Sequence, residues 1–120
     1  MNKIEPNELH HGKCIPCEGG TNPLTPSELG QYARAVPQWN VSDDNTSIAR
    51  HFKLKDFEQA LKYVNAIAAL ATCENHHPDL YIHGWNKLTV TLSTHAIGGL
   101  SINDFVMAAK IDHLPVVARS

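Results

Sequence analysis

The chain has 120 residues, a formal net charge of -2, 42% hydrophobic and 18% charged residues. That length carries one domain with a real core, the charge balance leaves no nucleic-acid footprint, and no apolar run approaches the ~20 residues of a membrane span. The opening Met1-Asn2-Lys3-Ile4-Glu5-Pro6 lacks the apolar stretch of a signal peptide, and three cysteines fit a disulfide framework poorly, so a cytoplasmic protein with reduced thiols is expected.

Residues 1–24, with three prolines and three glycines and little apolar periodicity, read as an N-terminal arm. Within it Cys14 and Cys17 form a Cys-x-x-Cys pair, half of a zinc site that His10 or His11 could complete on spacing; a reduced pair in an arm is the plainer reading. Thr25-Pro26-Ser27-Glu28 is a capping box with proline at the first helical position, and Leu29, Tyr32, Ala33 and Val36 continue at helical spacing until Pro37. Trp39-Asn40-Val41 and Ser47 to Leu54 read as paired strands around a polar turn. Trp39 has two uses, core packing or a flat wall for an aromatic ligand. Asp56 caps the longest helix, which runs to about Cys73. Its apolar stripe is expected at Phe57, Leu61, Val64, Ala68 and Ala71, widened by Ala60 and Ile67. The stretch from Tyr81 to Leu92 reads as a hairpin: Leu88, Val90 and Leu92 alternate with Thr89, Thr91 and Ser93, and Asn86 is a residue that tolerates the left-handed backbone of the turn. A third helix starts at Ser101 with Asp104 in the capping position, and Phe105, Ala108, Ala109 and Ile111 supply its buried side. The expected fold is α+β: a four-stranded antiparallel sheet with three helices on one face, order α-β-β-α-β-β-α, spanning residues 25–114 and followed by a tail over 115–120. The uncovered sheet face would carry Thr89, Thr91 and residues like them, or serve as a subunit contact.

The chemistry concentrates in Glu74-Asn75-His76-His77-Pro78-Asp79 and Ser93-Thr94-His95. A hairpin between the two clusters brings His95 toward His76 and His77. Imidazole both takes and gives a proton near neutral pH, so three of them at one spot suit acid–base catalysis without a metal or a redox cofactor. Taken alone, any one of these histidines is more simply a solvated turn residue. His10, His11, His51, His83 and His113 keep that reading.

These residues carry a resemblance. Glu74 to Asp79, Trp85 to His95 and Gly99-Leu100-Ser101-x-x-Asp104 are similar to the pterin-4a-carbinolamine dehydratase family, over residues 24 to about 111; Lys13-Cys14-x-x-Cys17-x-Gly19-Gly20 resembles the leader of many bacterial members. The resemblance implies dehydration of 4a-hydroxytetrahydropterin to quinonoid dihydropterin and water, a step that recycles the cofactor of aromatic amino acid hydroxylases. It implies catalytic roles for His76, His77 and His95. Trp39, Pro78, Ser93, Thr94 and Asp104 are the candidate substrate-binding residues. It further implies no bound cofactor, a homodimer or homotetramer, functional coupling to a hydroxylase, and no nucleic-acid or membrane partner. A dimerisation or coactivator module on the same fold is the alternative. One departure is Thr72, where some members carry a glutamate; whether Glu74 reaches the same space is open.

Overall fold

In the computed structural model, residues 6–12, 14 and 23–115 are described. After a 3-10 helix at Pro6–His11, the chain runs through α1 (Pro26–Ala35), β1 (Asn40–Val41), β2 (Ile48–Lys53), α2 (Phe57–Glu74), β3 (Asp79–His83), β4 (Lys87–Leu92), a short 3-10 helix at His95–Ile97 and α3 (Ile102–Asp112). The sheet is antiparallel with order β1-β2-β4-β3, so the two hairpins meet at the β2–β4 pair.

Local chemistry sets the helix starts. Thr25 Oγ1 accepts the Glu28 N–H at 3.2 Å and Glu28 Oε1 accepts the Thr25 N–H at 3.0 Å, a closed capping box. Asp56 caps α2 through the Gln59 N–H at 2.8 Å. Strand alternation sets the layers. Ile48, Phe52, Leu88, Val90 and Leu92 are buried under the helices, whereas Ala49, His51, Thr89, Thr91, Asp79 and Tyr81 occupy the opposite, uncovered face. No helix among the described residues is long and apolar enough to cross a membrane.

Four details differ from the sequence expectations. The buried face of α2 is Ala60, Tyr63, Ile67 and Ala71, while Phe57 and Leu61 are 48% and 41% exposed. Apolar residues lie on several sides of this helix, so composition marks no single stripe, and the large Tyr63, whose hydroxyl donates to the Ile111 carbonyl at 3.2 Å, wins the core position. In the β3–β4 turn the left-handed residues are Gly84 and Trp85, at φ 54° and 56°. Asn86 is instead buried and donates its side-chain amide to the Leu54 carbonyl at 3.1 Å, tying the hairpin to the end of β2. Nearly all of α3 is buried, because the N-terminal 3-10 helix, α1, α2 and β4 surround it. The arm is thus not wholly separate from the core: Leu9 is 1% exposed within it, and the Leu24 N–H donates to the Leu100 carbonyl.

Candidate active site

The site is built from three chain ends that meet. α2 stops where Asn75 turns left-handed (φ 53°), and the His76 N–H closes back on the Ala71 carbonyl at 3.1 Å, a Schellman-type ending. That turn directs His76 to the start of α3. His76 Nε2 lies 2.7 Å from Asp104 Oδ1, with the imidazole 12% exposed and Asp104 fully buried. The other carboxylate oxygen accepts the Thr94 hydroxyl at 2.7 Å and the Ser101 N–H at 3.0 Å. The Ser101 hydroxyl, 2.8 Å from Thr94 Oγ1, completes the network and also accepts the Asn103 N–H. A carboxylate only accepts, so the network assigns the shared proton to Nε2; a neutral His76 ring then presents the Nδ1 lone pair.

Beyond Thr94 the chain enters an open cleft of about 350 Å³, lined by the Thr46-Ser47 end of the β1–β2 turn, Asp79, Thr91, Ser93, Thr94, His95 and Gly98-Gly99. The wall carrying His95 is shaped by two glycines. Gly98 is left-handed at φ 65°, and a Cβ on Gly99 would stand 3.0 Å from Pro23. Thr94 and Gly99 bridge to each other, so the 3-10 turn between them stands out from the sheet. The side chains of Asp79, Thr91, Ser93 and His95 make no hydrogen bond or ion pair with another described residue.

The structure therefore links His76 through Asp104 to Thr94, which the buried network shares with the cleft and which precedes His95 in the chain; His76 and Asp104 themselves do not line the cleft. His77 is exposed, Pro78 is half-buried, and neither lines the cleft. Of the two uses open to Trp39, the structure shows core packing. This residue is 4% exposed, and its indole N–H donates to Asp112 Oδ1 at 2.9 Å, beside the Arg50–Asp112 ion pair. Glu74 is engaged elsewhere: Oε1 accepts the Cys14 N–H at 2.8 Å and Oε2 lies 3.7 Å from Lys110 Nζ. Thr72 is exposed. Cys14 sits against α3, its thiol 3.6 Å from the Asn103 carbonyl, and Cys17 lies outside the described residues. His51 and His83 share the Thr89 hydroxyl on the uncovered sheet face, and His10 stacks on His113 at 4.0 Å. Asp79 and Thr91 line the cleft although the sequence analysis assigns neither a site role. Their signal was the register, since counting back from the turn pairs Asp79 with Thr91 one step before Ser93 on the same face.

An anchored imidazole two hydrogen bonds from a polar cleft, on a two-layer α+β frame, is the arrangement of a small enzyme. The chain matches the model of the family described as Pterin 4 alpha carbinolamine dehydratase over residues 22–114, and it belongs to that family. It is similar to a protein of Rubrobacter xylanophilus named as a pterin-4-alpha-carbinolamine dehydratase, at 44% identity over 90% of this chain and 99% of that one. A relative of the same name from Alkaliphilus metalliredigens is 47% identical, over 88% of this chain and 95% of that one. Among solved structures it is similar to a transcriptional coactivator/pterin dehydratase from Brucella melitensis, with a TM-score of 0.71 and 36% identity over 76% of this chain and 96% of that one.

Proposed function

We propose that the chain dehydrates 4a-hydroxytetrahydropterin to quinonoid dihydropterin and water by histidine acid–base catalysis, returning the pterin cofactor to an aromatic amino acid hydroxylase. The observation that carries this reading is the continuous link from His76 through Asp104 and Thr94 to the cleft at His95. In the reaction a ring nitrogen loses a proton, the C4a–O bond breaks, and the departing hydroxyl takes a proton and leaves as water. His76, with Nε2 held by Asp104, acts as the base through Nδ1. His95, free at the cleft wall, acts as the acid. His77 precedes Pro78, which biases its backbone to an extended geometry; from outside the cleft lining it helps to position the pterin. Thr94 and Asp104 hold the base in place, and Ser93 meets the substrate. One imidazole takes the proton and another gives one, so the step needs no metal.

The protein works as a homo-oligomer. The support is the exposed apolar side of α2 at Phe57 and Leu61, together with the uncovered sheet face, where Tyr81 is 64% exposed. The same surfaces would serve the coactivator-type reading; a monomeric mass by light scattering at micromolar concentration would count against the homo-oligomer, and lack of dehydratase activity together with tight partner capture would favour the coactivator. Stopped-flow dehydration of synthetic 4a-hydroxytetrahydropterin tests the activity directly. The protein accelerates the decay if the reading holds, and an unchanged decay refutes it.

A further inference from the structure

The cleft carries one carboxylate, and the acid–base chemistry leaves it unused. Asp79 begins β3, stands on the uncovered sheet face opposite Thr91, and lines the cleft with Ser93 and His95. Several other carboxylates of the domain are engaged: Asp104 by His76 and Thr94, Asp112 by Arg50 and Trp39, Asp56 and Glu28 by helix starts. Asp79 has no hydrogen bond or ion pair with another described residue, and its side chain is exposed to the cleft. Its acceptor pair therefore stays available to a ligand.

We propose that Asp79 is a substrate-binding residue that takes the amino-pyrimidine edge of the pterin and sets specificity for 2-amino-4-oxopteridines. The inference rests on the pterin reading above and names how that site chooses and orients its ligand. A 2-amino-4-oxopyrimidine ring presents two adjacent N–H donors, N3–H and the 2-amino group, that match the two oxygens of a carboxylate. Such paired, charge-assisted bonds fix orientation as well as adding affinity. The register then places the rest of the ligand. Ser93 is the diagonal neighbour of Asp79 across the β3–β4 pair, roughly 7–8 Å away for such positions in antiparallel strands, and His95 lies two residues further along. That span matches the long axis of a fused two-ring heterocycle. With its pyrimidine edge on Asp79, the ligand directs its reacting half toward Ser93 and His95.

The test compares two ligands, 7,8-dihydropterin and its 2-oxo analogue, titrated against the full-length wild-type protein and Asp79→Asn by fluorescence. The analogue places a carbonyl where the pterin has its amino group, so it repels a carboxylate and accepts from an asparagine amide. Wild type is expected to bind the dihydropterin at least about tenfold more tightly than the analogue, the size expected for bonds to a charged acceptor at an exposed site. Asp79→Asn should lose most of that preference by weakening the pterin and gaining the analogue, a crossover that a merely structural role would not produce. Asp79→Ala should weaken the pterin without gaining the analogue. Equal preference in wild type and Asp79→Asn, or no preference in wild type, overturns the assignment while the pterin reading stands. A wild-type protein that binds no dihydropterin overturns both.

Discussion

The two halves of the site contrast in how their polar groups are held. In the buried half, His76, Asp104, Thr94 and Ser101 satisfy one another, and Asp104 is fully buried with three donors converging on it. In the open half, His95, Ser93, Thr91 and Asp79 have side chains with no partner among the described residues. Burial explains the difference. A buried polar group left unpaired costs about 1–3 kcal/mol, so the inner half must close its network within the protein. The outer half faces solvent and can leave its bonds to a ligand. The comparison teaches that one half fixes geometry and the other half recognises.

Substitutions should separate the halves. The largest effect is expected for Asp104→Ala, which strands the His76 ring, the Thr94 hydroxyl and the Ser101 N–H at once. It should lower unfolding stability by about 3–5 kcal/mol and abolish turnover; a urea midpoint equal to wild type would break the contrast. His95→Ala should lower kcat by about 10²–10⁴-fold with stability within about 0.5 kcal/mol of wild type, since its ring supports nothing else. His76→Ala should lower both, and the double variant with His95→Ala should fall far short of additivity, because the pair acts as a unit. His77→Ala should raise KM more than it lowers kcat; loss of turnover with unchanged binding would reassign it to the proton-transfer pair. The smallest effect is expected from exhaustive chelation, and from Cys14→Ser with Cys17→Ser. Both should leave turnover intact, and activity that is lost and then restored by zinc would replace the acid–base account.

What the sequence made legible were features with local causes. The capping boxes at Thr25 and Ser101 and the Asp56 cap need only a short span of chain, and the alternation of Leu88, Val90 and Leu92 against Thr89 and Thr91 fixes both faces of β4. From these follow the α+β order and the strand faces. The residues misread or left open depend on distant partners. Trp39 is decided by Asp112 at the end of α3, Asn86 by the Leu54 carbonyl, and the face of α2 by how Tyr63 fits against Phe52, whose ring meets it edge-on at 4.8 Å. Leu9 lies in a stretch without periodicity, yet its buried side chain helps to seat the first 3-10 helix on α3, beside the stack of His10 on His113. For the site, the His76–Asp104 bond spans 28 positions, and no spacing rule links a helix end to the cap of a later helix.

Asp104 also ties this centre to the cooperativity of the fold. One of its oxygens accepts the Ser101 N–H and so begins α3, the helix at the centre of the molecule, while the other orients His76. Local melting at the start of α3 therefore removes the support of the imidazole and uncaps the central helix together. Heat inactivation and the loss of helix signal should then follow one curve, without the early drop in activity of enzymes whose sites sit on loosely held loops.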